Sequence, residues 1–131
     1  MPPRLNYFKP EEVEGLDDEY AAKLDLARGR TIQIDPEKKG VAFIITSGFR
    51  TPEKNQSVVG AVPDSSHTKG LATDLRVDSS YQVAIIVEAL MSVGINRIGI
   101  YVDKDFNPIH IHNDVDPDKP PYVLFIKQEM N

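Results

Sequence analysis

The stretch Arg97-Ile98-Gly99-Ile100-Tyr101-Val102-Asp103-Lys104-Asp105-Phe106-Asn107-Pro108-Ile109-His110-Ile111-His112-Asn113 decides the fold class. Two short apolar runs, Arg97 to Val102 and Ile109 to Asn113, flank a turn rich in Asp, Asn and Pro, the pattern of two strands joined as a hairpin and therefore antiparallel. Toward the N-terminus, Ser79 or Ser80 caps a helix whose Val83, Ile86, Leu90 and Val93 share one face, and Gly94 stops it. Leu71 to Val77 reads as a strand, and Val41 to Thr46, bracketed by Gly40 and Gly48, as a buried one. Thr51-Pro52 opens a short helix running toward Val59 and stopping at Gly60. Pro10 starts a turn of helix, after which Val13, Leu16, Tyr20, Leu24 and Ala27 recur at helical spacing. Tyr122 to Ile126 adds a last strand after Pro120-Pro121. Helices and strands mix without strict alternation, so the expected architecture is a small α+β domain over residues 1–131, with helices packed on a largely antiparallel sheet.

The 131 residues carry 15 Lys plus Arg against 20 Asp plus Glu, a formal charge of -5. A 40% hydrophobic fraction with 27% charged residues is a globular mixture, which excludes a disordered chain. The longest apolar stretch, Val83 to Leu90, is interrupted by Glu88 and falls short of the roughly 20 residues of a membrane span. The acidic balance argues against a nucleic-acid partner, whose phosphates call for clustered Lys and Arg. Met1-Pro2-Pro3-Arg4 lacks the basic and apolar regions of a secretory signal, so none is expected. With no cysteine, disulfides, thiol nucleophiles and thiolate metal sites are excluded. A transition metal would have to be held by imidazole and carboxylate.

The three histidines fall in two segments with metal-site spacing. His67 precedes Thr68-Lys69-Gly70-Leu71-Ala72-Thr73-Asp74, where a glycine-assisted bend leads into a strand bearing an acid. In His110-Ile111-His112 the alternation of a strand puts both imidazoles on one face and turns Ile109 and Ile111 to the core. Two His and a carboxylate make the ligand set of open zinc sites, and Mn, Fe or Co would also accept it. The plainer alternatives are surface histidines, and an Asp74 paired with Arg76 or Arg50 or simply exposed. Arg50, between a buried strand and a helix, suits either a bidentate grip on a carboxylate or a structural tie. The acidic runs Asp103 to Asn107 and Asp114 to Asp118 imitate only the opening of a calcium loop, lacking its glycine and closing Glu, and read as a hairpin turn and a solvated loop.

Ile45-Thr46-Ser47-Gly48-Phe49-Arg50-Thr51-Pro52, Asn55, Ser66-His67-Thr68-Lys69-Gly70-Leu71-Ala72-Thr73-Asp74-Leu75, and Gly99-Ile100-Tyr101 leading to His110-Ile111-His112 together resemble the zinc D-alanyl-D-alanine carboxypeptidases. That superfamily includes phage cell-wall endopeptidases and the hedgehog signalling domain. The resemblance spans roughly residues 41–113. It implies one zinc per chain held by His67, Asp74 and His112, with His110 nearby as the other possible third ligand. It further implies Arg50 on the substrate's terminal carboxylate and Ser66 supporting the substrate or the site. The fold implied is the small α+β fold of the hedgehog and D,D-peptidase group.

The implied reaction is hydrolysis of a peptide bond in the peptidoglycan stem, by a D,D-carboxypeptidase or an endopeptidase, with zinc polarising the carbonyl and activating water. Relatives carry an acid or His a few residues before the last ligand, where this chain has Asn107 and Ile109. His110 is then the first choice for the general base, with Asp105 and Asp103 as alternates. The expected protein is a monomeric, endolysin-like metallopeptidase acting on peptidoglycan or muropeptides at the cell wall or periplasm, without nucleic-acid or membrane partners. A non-catalytic zinc-stabilised binding module is the rival reading, and a metal-free structural domain a third.

Overall fold

The computed structural model describes residues 4–58 and 64–129. Among these residues five strands form one sheet: β1 (Ile45–Ser47), β2 (Ala72–Arg76), β3 (Arg97–Val102), β4 (Pro108–Asp114) and β5 (Val123–Gln128), in the order β1-β2-β4-β3-β5. All neighbouring pairs are antiparallel except β3 with β5. The helices are α1 (Asp18–Ile34), α2 (Pro52–Gln56) and α3 (Ser80–Ser92), supplemented by 3-10 turns at Pro10–Val13 and Ser66–Lys69. The α+β class with a largely antiparallel sheet is as expected. The expected stop of α2 at Gly60 lies outside the described residues.

Alternation along the strands divides the sheet into two chemically different faces. Thr73, Leu75, Ile98, Ile111 and Asn113 are fully buried, in a core shared with Tyr20, Leu24 and Ala27 of α1 and Ile86 and Leu90 of α3. Each fully buried aliphatic side chain here contributes about 1.5–3 kcal/mol. The opposite face carries Asp74, Gly99, His110 and His112. Between helices and sheet lies a polar knot: the Tyr20 hydroxyl donates to Asn113 Oδ1 at 2.6 Å and lies 2.9 Å from Thr73 Oγ1, while Asn113 Nδ2 donates to the same Thr73 oxygen at 3.0 Å. Thr73 and Asn113 are partners in the β2–β4 register, as are Asp74 and His112. The knot thus fixes from below the two strands that present Asp74 and His112 above.

Three local expectations shift. Of the run Val41 to Thr46 only Ile45 and Thr46 lie in a strand, β1 (Ile45–Ser47), because the Val41 N–H is taken by Thr31 Oγ1 at 2.9 Å and ties the start of the run to the end of α1. Val41 and Phe43 are nonetheless core residues. The stripe of Val13, Leu16 and Tyr20 is broken, with Val13 in the first 3-10 turn, Leu16 in the link and Tyr20 in α1, since Gly15 turns to φ +81° and Asp17 caps α1 by accepting from the Tyr20 N–H. In α3 the fully buried face centres on Ile86 and Leu90 with Ile85 and Ala89, and Val83 and Val93 pack at its margin.

Candidate metal centre

His67 is carried by the 3-10 turn Ser66–Lys69, which Ser65 caps by accepting the His67 N–H at 3.2 Å. The turn ends on Gly70 at φ +72°, and a Cβ there would stand 2.4 Å from the Gly15 carbonyl oxygen, so glycine is required for both conformation and space. The Gly70 carbonyl accepts from the Asp17 N–H at 2.8 Å, docking the turn against the start of α1. His67 itself is buried. Its Nδ1 lies 2.9 Å from the Gly48 carbonyl oxygen. A carbonyl only accepts, so Nδ1 carries the proton and Nε2 is directed inward, 3.5 Å from Asp74 Oδ1.

Asp74 on β2 and His112 on β4 stand opposite one another, with Asp74 Oδ1 3.2 Å from His112 Nδ1. The outer nitrogen of His112, Nε2, lies 2.8 Å from Asp114 Oδ2. Asp114 is fixed in turn by Arg97, whose Nε donates to Oδ1 at 2.7 Å and whose Nη1 donates to the Pro120 carbonyl. Burial alone would lower the His112 pKa, but the bonds and charges of Asp114 and Asp74 outweigh it and push it up to about 9. Burial would raise that of Asp74, and the bonds and charges of His112 and His67 instead hold it well below the usual carboxylate range.

One donor atom from each of His67, Asp74 and His112 lies within 4.8 Å of the other two. Zinc–nitrogen and zinc–oxygen bonds of about 2.0–2.2 Å in a tetrahedron separate donors by about 3.3–3.6 Å. The spacings of 3.5 and 3.2 Å from Asp74 Oδ1 to the two imidazoles are close to that. Each imidazole also has its outer nitrogen engaged by a protein oxygen, leaving the inner one directed at the cluster, the arrangement that selects the ligating tautomer. The residues present therefore fit a bound metal ion. The alternative of an Asp74–Arg pair is overturned, since the partners of Asp74 are imidazoles.

The other candidates stand apart from this cluster. His110 shares the His112 face but is paired in register with Arg76 and Tyr101, stacks on the Tyr101 ring at 4.5 Å, and faces Glu129 Oε1 at 3.6 Å. Asp105 is exposed in the β3–β4 turn, where its N–H donates to Asp103 Oδ1, and Asp103 is also bound by Asn107. Arg50 bonds through its own N–H to the His67 carbonyl at 3.1 Å and through Nη2 to Ser65 Oγ at 3.0 Å. Its Nε is buried with no partner among the described residues. Ser66 is buried, donating to Asp116 Oδ2 at 2.8 Å and accepting from Lys119 Nζ at 3.1 Å.

Two supports of the cluster were not singled out in the sequence. Extending the His110, His112 alternation by one step reaches Asp114, so that residue was legible; the Gly48 carbonyl has no side-chain signal at all. The run Asp114 to Asp118 is also not the solvated loop expected, because Asp114 and Asp116 are each only 2% exposed, held by Arg97 and by Lys69.

Residues 12–112 match the family model described as Peptidase M15, in agreement with the resemblance carried by the SGFR, SxHxxGxAxD and HxH segments. No curated protein and no solved structure matches the chain. Among the described residues no helix is long and apolar enough to cross a membrane.

Proposed function

The chain belongs to the peptidase M15 family of metallopeptidases, and we propose that it is a zinc-dependent hydrolase of a peptide bond in the peptidoglycan stem, a D,D-carboxypeptidase or an endopeptidase. The observation that carries this reading is the convergence of His67 Nε2, Asp74 Oδ1 and His112 Nδ1 with both outer imidazole nitrogens already engaged. The chemistry a zinc ion supplies when bound is Lewis-acid polarisation of the scissile carbonyl and of the attacking water. The remaining work falls to the chain. Arg50, two residues beyond the Gly48 carbonyl that orients His67, has a buried Nε–H without a partner among the described residues, and a substrate carboxylate would satisfy it. His110 is the candidate for holding or relaying the proton that passes to the leaving amine. Its position on the His112 face, with Glu129 opposite Nε2, supports it over Asp105 in the exposed turn.

The test is mass spectrometry of products released from peptidoglycan sacculi by the zinc-loaded protein, with and without a chelator. Chelator-sensitive release of D-alanine or of split muropeptides is expected, and absence of any hydrolysis would sink the reading. A second reading, a metal-stabilised binding module, is favoured by one observation: His110 is engaged by Tyr101 and Glu129, and Asp105 lies in the exposed β3–β4 turn, so neither candidate base belongs to the donor cluster. Zinc uptake that raises the melting temperature without turnover would decide for it.

A further inference from the structure

Asp116 is a carboxylate without exposed side-chain surface, outside the candidate donor set and unused by the proposed reaction. Lys69 Nζ donates to its two oxygens at 3.1 and 2.9 Å, and Ser66 Oγ donates to Oδ2 at 2.8 Å. Ser66 and Lys69 are the first and last residues of the 3-10 turn that carries His67, so one carboxylate grips that turn at both ends. The N–H of Asp116 donates to Asp114 Oδ1 at 3.1 Å, and Asp114 Oδ2 engages His112. A continuous path of hydrogen bonds thus runs from His112 through Asp114 and Asp116 to the turn of His67, although the two imidazoles come from segments 45 positions apart, at 67 and 112.

We infer that Asp116 is a positioning residue of the metal centre, locking the His67 turn to the end of β4 so that both imidazoles are held at one separation. The inference rests on the metal-binding reading of His67, Asp74 and His112. A carboxylate that only fastened a loop would be an expensive device, since burying it is offset only while several donors satisfy it. Here both side-chain donors within 3.1 Å, Ser66 and Lys69, belong to the turn that carries the imidazole, and the Asp118 N–H adds a backbone donor to Oδ1 at 3.0 Å. Ser66 is accordingly assigned to this support, its hydroxyl already spent on Asp116 and Lys119.

The experiment compares zinc affinity, by chelator competition, and the visible spectrum of the cobalt(II) form for the unmodified chain, Asp116→Asn, Ser66→Ala and Asp118→Asn. Asp118 is a control: its exposed carboxylate also accepts from Lys69, at 3.2 Å, but touches neither Ser66 nor Asp114. A direct hydrogen-bond partner of a ligating imidazole is worth about 10–100-fold in metal affinity, and Asp116, one bond further out, is expected at the lower end, about tenfold. Asp116→Asn is expected to show that loss with an altered cobalt spectrum, Ser66→Ala a smaller loss in the same direction, and Asp118→Asn neither. Unchanged affinity and spectrum in Asp116→Asn would overturn the inference, as would an equal loss in Asp118→Asn. Should Asp116→Asn fail to fold, Ser66→Ala decides, and zinc binding equal to that of the unmodified chain would overturn it. No metal binding by the unmodified chain is a distinct outcome that overturns the metal reading and the inference with it.

Discussion

Asp74 and His112 occupy directly opposed positions of the antiparallel β2–β4 pair, and their side chains meet at 3.2 Å on the face away from the helices. The pairing places one candidate donor from each strand side by side without any long loop having to be ordered. His67 is then the one donor delivered by a turn.

Asp74→Asn removes the anionic donor that both imidazoles face. The variant should fold, retaining its circular dichroism spectrum, and should lose zinc affinity by more than about 100-fold, as expected for loss of one of three ligands. Retention of near-normal affinity by isothermal titration would exclude Asp74 from the donor set.

Asp114→Asn keeps an oxygen that can accept from His112 while deleting the charge. Zinc affinity should fall by about 10–100-fold. In the metal-free variant the His112 pKa should move down from about 9, because one of the two carboxylates holding it up is gone. Imidazole resonances followed through a pH titration measure this directly.

Protons and zinc compete for His112. With its metal-free pKa raised to about 9, binding below that pH must expel a proton, so affinity should rise with pH and level off above about 9. One displaced proton gives roughly a tenfold gain per pH unit. The metal-free fold has the opposite dependence: a raised folded-state pKa gives stabilisation that is full below the unfolded value and lost as pH rises through about 9. Zinc titrations and urea melts at several pH values should therefore slope in opposite directions.

Tyr20→Phe deletes the hydroxyl at the centre of the buried knot and leaves Asn113 Oδ1 without that donor. A loss of about 1–3 kcal/mol in urea unfolding is expected. A neutral result would mean that the knot adds nothing to the anchoring of α1.

Gly70→Ala should be more damaging than its size suggests. The position needs φ +72°, and the new methyl group would meet the Gly15 carbonyl oxygen at 2.4 Å. Backbone strain and forced displacement together predict a loss of about 2–4 kcal/mol. Chemical denaturation reads the loss, and a change below 1 kcal/mol, on the order of an ordinary surface substitution, would contradict the close approach.

Much of the architecture follows from local signals, because they agree with the tertiary context. The period-2 alternation of Ile109 to Asn113, the turn residues between Val102 and Ile109, and the Ser79 cap of α3, which accepts from the Gln82 N–H, all reappear as β4, the hairpin and the helix start. Val41 to Ile44, expected in a strand, lies outside β1, because its apolar pattern marks a buried segment and burial alone does not say whether backbone groups pair with a strand or, as with Val41, with a Thr31 side chain.

By itself the sequence determined the α+β class, the family, the exclusion of thiolate ligands, and the placing of His110 and His112 on one face, since these depend on composition, motif and a two-residue period. Tertiary structure decided which histidine meets Asp74. The β2–β4 register pairs Asp74 with His112 and Arg76 with His110, and a register is set by long-range pairing that no local pattern encodes. It also decided that Asp114 and Asp116 are buried supports and not solvated acids, because the cations that hold them, Arg97 and Lys69, come from β3 and from the His67 turn.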